Sequence, residues 1–178
     1  MSDLDARALE AFARYLSTLP EDARKLGRVV ADSNVDSAVR APLAGALNYL
    51  FKSLDLIPDG LEDLGFIDDS FVLRVAAAQV LEAERDGAGV LAKLAGEAEL
   101  IHEFLGQDYE RLERYVQKLA DGSARGRSVA QILEDAAVRD DFVREVKQWA
   151  ASYAPPSFAR DSRSLVKLKS FLATRLPA

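Results

Sequence analysis

The chain has 178 residues, 23 basic and 29 acidic, for a net charge of −6, and 49% of them are hydrophobic. That length and balance suit one globular domain that buries a core without disulfides or a structural metal. There is no cysteine, which excludes disulfides, thiol nucleophiles and thiolate metal ligands, and a net acidic chain is repelled by nucleic acid, so no nucleic-acid partner is expected.

The N-terminal stretch MSDLDARALEAFARYL is acidic and has no basic start and no apolar run, unlike a secretory signal. The longest mostly apolar stretch, Ala41 to Phe51, is too short to cross a bilayer, which takes about 20 residues. A cytoplasmic protein is the expectation.

Helical periodicity runs through the chain, and no segment alternates as a strand would. Leu9, Phe12 and Leu16 share one face of a first helix. Pro20, followed by acidic Glu21 and Asp22, reads as the first turn of a second helix, lined by Ala23, Leu26 and Val30. A third runs from about Asp36 to Lys52, kinked or restarted by Pro42. The pattern breaks from Ser53 to Ile67, where Pro58 stops the helix and Gly60 and Gly65 offer turn positions. A fourth helix starts at Asp68 or Asp69 and runs to Asp86, with Gly87 past its end.

Val90, Leu94, Ala98, Ile101 and Leu105 stripe a fifth helix closed by Gly106. Leu112, Val116 and Leu119 stripe a sixth closed by Gly122. Ser123 to Arg127 reads as a polar loop. Ser128 and Gln131 form a capping-box pair that opens a helical stretch to about Ser152, with a break at Arg139-Asp140-Asp141. Ala154-Pro155-Pro156-Ser157 ends it. A last helix, about Ser164 to Arg175, carries Leu165, Leu168, Leu172 and Leu176 on one face.

One segment differs from the rest. Asp55, Asp59, Glu62, Asp63, Asp68 and Asp69 interleave with Leu54, Leu56, Ile57, Leu61, Leu64, Phe66 and Ile67. Burying such apolar side chains is worth about 1.5–3 kcal/mol each, so the segment folds onto the core with its carboxylates at the edge.

Tyr49-Leu50, Ser53, Asp55-Leu56-Ile57-Pro58-Asp59, Gly65 and Asp68-Asp69 together resemble the core motif of the YkvA-like family, also called domain of unknown function 1232. The resemblance covers roughly residues 38–75. It departs at Leu54, where the family usually has proline, and at Glu62-Asp63, where it is usually apolar. The resemblance implies a short helical hairpin joined by the acidic turn and implies no activity.

Two readings of the acidic turn follow from its residues. Asp55, Asp59, Asp68 and Asp69 could hold a hard divalent cation, Mg²⁺ or Ca²⁺, since such ions want several oxygens and crowded carboxylates raise one another's pKa. Alternatively each acid serves the backbone: Asp68 or Asp69 caps a helix, Asp55 and Asp59 make side-chain turns, and Glu62 and Asp63 are solvated. The spacing matches no EF-hand, and the second reading, without a cofactor, is the simpler.

His102 is the only histidine, and it falls on a helix surface beside Glu99. No catalytic triad, phosphate loop or metalloprotease motif is present. Residues 159–178 carry a local charge of +4. They suggest either a helix docked on an acidic body or an arm for an anionic surface, membrane or nucleic acid, and docking is the simpler. Trp149 and Tyr153 read as core or edge aromatics.

The expected fold is all-α: an irregular bundle of about seven to nine helices in one domain, residues 1–178. The hairpin motif spans about 38–86 and a helical extension about 87–178, with the acidic turn between the third and fourth helices. The expected function is a non-enzymatic interaction or scaffold role with an unknown protein partner; a cation-binding module or cation-dependent enzyme is the alternative. No residue is assigned to catalysis. The motif residues Tyr49, Asp55, Pro58, Asp59, Gly65, Asp68 and Asp69 are the candidate site.

Overall fold

The computed structural model describes residues 1–83 and 89–178. Eight helices lie within them: α1 Asp3–Ala31, α2 Ser37–Tyr49, α3 Ile67–Ala83, α4 Val90–Leu105, α5 Asp108–Leu119, α6 Val129–Glu134, α7 Ala136–Ser152 and α8 Ser162–Arg175. The all-α expectation is met. Among the described residues no helix is long and apolar enough to cross a membrane.

The helix α3 organises the bundle. Phe71, Val72, Leu73, Val75, Ala76 and Ala77 are all fully buried, so this helix is apolar nearly all round and sits at the centre. Helices α1, α2, α4 and α5 pack around it, and α7 packs along α1. Phe12 meets Phe71 and Phe104 edge-on at 4.9 and 5.0 Å. Its predicted end at Asp86 and Gly87 lies outside the described residues.

Arg74 is the one charge inside that apolar run, and it is fully buried. Its guanidinium meets Asp22 at 3.1 Å and Glu97 at 2.9 Å, donates to the Ser70 carbonyl, and lies 3.9 Å from the Tyr15 ring centre. A buried guanidinium persists only when paired and hydrogen-bonded in this way.

Several sequence expectations need correction. Pro20 does not open a second helix; it lies inside the single long helix α1. Its missing N–H leaves the Leu16 carbonyl without its in-helix donor, and the Tyr153 hydroxyl supplies one at 2.7 Å. Pro42 likewise lies inside α2, which ends at Tyr49 rather than Lys52. The break expected at Arg139-Asp140-Asp141 falls at Asp135, whose extended backbone separates α6 from α7 and whose carboxylate accepts from the Ala137 and Val138 N–H groups.

The loop Ser123–Arg127 proves to be a minimal antiparallel ladder, β1 Ser123–Ala124 with β2 Arg127–Ser128. Arg125 and Gly126 both have positive φ, 52° and 72°, which matches the twist of a two-residue hairpin loop.

The C-terminal helix docks. Leu165, Leu168, Leu172 and Leu176 are buried, and the Arg111 guanidinium donates to the terminal carbonyls of Ala173, Leu176 and Pro177. The stripe that a free arm would offer to a surface is therefore occupied by the body.

Candidate functional site

Residues 50–66 fold down between the ends of α2 and α3. Leu56, Ile57 and Leu64 are buried, but Leu54 is 85% exposed, and Asp68 and Asp69 lie inside rather than at the expected edge. Gly65 is obligatory here: a Cβ would lie 2.8 Å from the Leu61 carbonyl oxygen and closer still to that of Asp59. Gly60, by contrast, faces open space. Phe66 then takes a left-handed backbone, φ 66°, immediately before α3 starts at Ile67. That conformation is an outlier for a bulky residue and marks local strain.

Because α3 begins at Ile67, neither Asp68 nor Asp69 is its cap. Both lie in its first turn, and each is 1% exposed. The capping expectation fails because the chain enters the helix through Phe66, which aims both carboxylates inward beneath the turn.

Tyr49 organises the interior of the turn. Its hydroxyl donates to Asp68 Oδ2 at 2.5 Å and accepts from the Leu56 N–H at 2.7 Å. The Ile57 N–H also donates to Asp68 Oδ2, at 3.1 Å. Two donors thus hold Asp68 Oδ2, while Asp68 Oδ1 has none. Both oxygens of Asp69, Asp59 Oδ1 and Asp55 Oδ1 are likewise buried without a hydrogen-bond donor among the described residues. Side-chain turns at Asp55 and Asp59 do not form.

One carboxylate oxygen from each of Asp59, Asp68 and Asp69 lies within 4.8 Å of the others. Asp55 stands beside them, half-buried, while Pro58 is exposed at the lip of the turn. Burial raises all four acids. Asp55 is pushed up to about 7 by burial and then by Asp59 and Asp68. Asp68 rises to about 6, the rise being limited by the Tyr49 hydroxyl and the Ile57 N–H. Asp69, with no donor and three carboxylates around it, rises well above the usual carboxylate range. Burial also raises Asp59. The Tyr49 hydroxyl is pushed up by its own burial and by Asp68 and Asp69.

Such an arrangement is costly without a counter-charge. An unpaired buried charge is disfavoured by several kcal/mol and ordinarily neutralises or finds a cation. Several hard oxygens converging on one point are the donor set that Mg²⁺ and Ca²⁺ take.

Other singled-out residues lie apart from this cluster. His102 is exposed and stacks on Tyr109 at 4.4 Å rather than pairing with an acid. Glu62 and Asp63 are not simply solvated: Asp63 pairs with Lys167 at 2.5 Å, and the Glu62 carbonyl accepts from the Ser157 N–H at 2.6 Å. Trp149 and Tyr153 pack on Phe66, at 6.0 and 5.2 Å between ring centres. Sequence reading missed the Arg74–Asp22–Glu97 cluster, although a lone arginine inside an apolar run was its visible sign.

The fold is thus a helical bundle whose distinctive element is an acidic turn tucked between two helices. Residues 39–74, from within α2 into α3, match the model of the family described as Protein of unknown function (DUF1232), the family that the motif resembles. No curated protein and no solved structure matches the chain.

Proposed function

We propose that the chain is a non-enzymatic helical protein of the cytoplasm whose acidic turn binds one hard divalent cation, Mg²⁺ or Ca²⁺. Asp59, Asp68 and Asp69 would supply the inner oxygens and Asp55 the outer one. The observation that carries this reading is Asp69: it is 1% exposed, neither of its oxygens meets a donor, and it converges with Asp59 and Asp68. Carboxylates that merely served the backbone would meet N–H groups instead.

The burial of the same carboxylates favours a structural ion over a catalytic one. A catalytic metal keeps an open coordination position for water or substrate, whereas closed sites contribute to folding. An ion held by Asp68 and Asp69 would face protein on most sides. Its role would be to fix the turn, and through it a surface for a protein partner.

A thermal melt tests the proposal. A cation at about a hundred times its Kd stabilises the native state by about 2.7 kcal/mol through mass action. For a chain of this size, that raises Tm by about 5–10 °C. The wild type should show this rise between chelator and millimolar Mg²⁺ or Ca²⁺, and Asp59→Asn should lose most of it. Equal melts with chelator and with either cation would refute the proposal.

A further inference from the structure

The acidic turn does not stand alone; the C-terminal part of the chain grips it at four points. The rings of Trp149 and Tyr153, at the end of α7, pack edge-on against Phe66. The Ser157 N–H donates to the Glu62 carbonyl, and Lys167 of α8 pairs with Asp63. Tyr153 is in turn anchored through its hydroxyl to the Leu16 carbonyl of α1.

Phe66 is the critical point of this grip. Its left-handed backbone is strained for a bulky residue, and such strain survives only where surrounding contacts over-determine it. It also directly precedes Ile67-Asp68-Asp69, so its geometry sets where the two buried carboxylates point. The contacts that hold Phe66 come from residues more than eighty positions away.

We infer that the Trp149–Tyr153 end of α7 and the strap to Ser157 form a clasp energetically coupled to the cation site, so that a bound cation tightens the clasp and the clasp tightens cation binding. This rests on the cation reading proposed above. Asp59, Asp68 and Asp69 converge directly after the strained Phe66 backbone, so repulsion among them works against the geometry that the Phe66 contacts hold. A cation removes that repulsion and so favours the Phe66 geometry that the two rings already hold. Linkage makes the effect reciprocal: whatever the cation contributes to clasp closure, the closed clasp contributes to cation affinity.

Trp149 is the only tryptophan in the chain and is half-buried, so its fluorescence reports on the clasp directly. The experiment combines calorimetric titration of the full chain with Mg²⁺ and with Ca²⁺ and acrylamide quenching of Trp149 at each point. Quenching should fall as the site fills. Tyr153→Ala, which removes one ring of the clasp, should weaken cation binding by about tenfold, within the usual range of such couplings. Tyr153→Phe keeps the ring and loses only its tie to the Leu16 carbonyl, and should bind between the wild type and Tyr153→Ala. If calorimetry shows binding while Trp149 quenching stays constant, the clasp inference fails and the cation site stands. Undiminished affinity in a folded Tyr153→Ala protein has the same meaning. If neither cation binds, both readings fall together. Should Tyr153→Ala not fold, quenching of the wild type still decides.

Discussion

The Tyr153 hydroxyl donates to the Leu16 carbonyl at 2.7 Å, at the one place in α1 where Pro20 withholds the backbone donor. A long helix is thereby kept continuous through a proline by a side chain 137 positions away. Removing that hydroxyl as Tyr153→Phe leaves a buried acceptor unmet, at about 1–3 kcal/mol. Pro20→Ala restores the in-helix donor, so Tyr153→Phe should cost clearly less in that background. Urea unfolding of the four proteins in the cycle measures the difference, and equal costs in both backgrounds would show that the bond does not compensate for the proline.

Asp69→Asn separates the charge of the turn from its shape. The amide keeps the volume but removes the carboxylate that has no donor. Melted in chelator, the variant should be as stable as the wild type or more so, because the amide no longer carries an acid whose charged form burial and three neighbouring carboxylates disfavour. With saturating Mg²⁺ or Ca²⁺ it should fall behind the wild type, which alone gains. A loss of stability in chelator equal to the loss in cation would contradict this.

The same carboxylates set a pH dependence. Their folded pKa values are raised: Asp55 to about 7, Asp68 to about 6, with Asp59 and Asp69 also up. The native state therefore binds more protons than the unfolded chain between about pH 4 and pH 7, and stability must fall as pH rises through that window. Each proton retained corresponds to about 1.4 kcal/mol per pH unit. Tm in chelator should thus decline from pH 5 to pH 8. A cation supplies the missing positive charge at the upper end and should flatten the decline.

Arg74 carries the largest expected stability effect. Arg74→Ala leaves Asp22, 1% exposed, with only Thr18 and the half-exposed Lys93 as partners, and opens a cavity beside Tyr15. Breaking one side of a buried ion pair costs about 3–5 kcal/mol. Circular dichroism with urea should show a large drop in the midpoint, or a chain unfolded in buffer.

The two glycines of the turn should respond differently. Gly65→Ala pushes a methyl group into the Leu61 and Asp59 carbonyls, and overpacking of this kind costs about 1–3 kcal/mol. Gly60→Ala meets nothing and should stay within about 0.5 kcal/mol. The measured difference in unfolding free energy between the two checks the turn geometry.

Much of the bundle was legible in the sequence because its helices obey local rules. The Leu112, Val116 and Leu119 stripe is buried as its spacing predicts, and Ser128 and Gln131 exchange both bonds of a capping box. Local rules failed where a remote group intervened. Pro20 reads as a helix start until Tyr153 is known to stand over Leu16. Asp68 and Asp69 read as caps because nothing in their neighbourhood shows that Phe66, held by rings from α7, turns the chain and sends them inward. The Arg125-Gly126 hairpin was visible in principle as a glycine-containing pair between short polar runs, but arginine is an unusual occupant of a left-handed position. The candidate residues themselves were recognisable by type and spacing; their burial, which gives them a chemical role, was not.

The ion cluster at Arg74 bears on whether residues 39–74 could fold by themselves. Arg74 closes residues 39–74, yet both carboxylates that neutralise it, Asp22 and Glu97, come from helices outside that stretch. Gly45, near its start, lies so close to α5 that a Cβ would stand 2.6 Å from the Leu119 carbonyl. A peptide cut to the matched residues would expose an arginine with no counter-ion and a helix face shaped for an absent neighbour. The matched segment is thus not a unit of folding in this chain: its stability depends on two acids and a closely fitting helix that lie outside it.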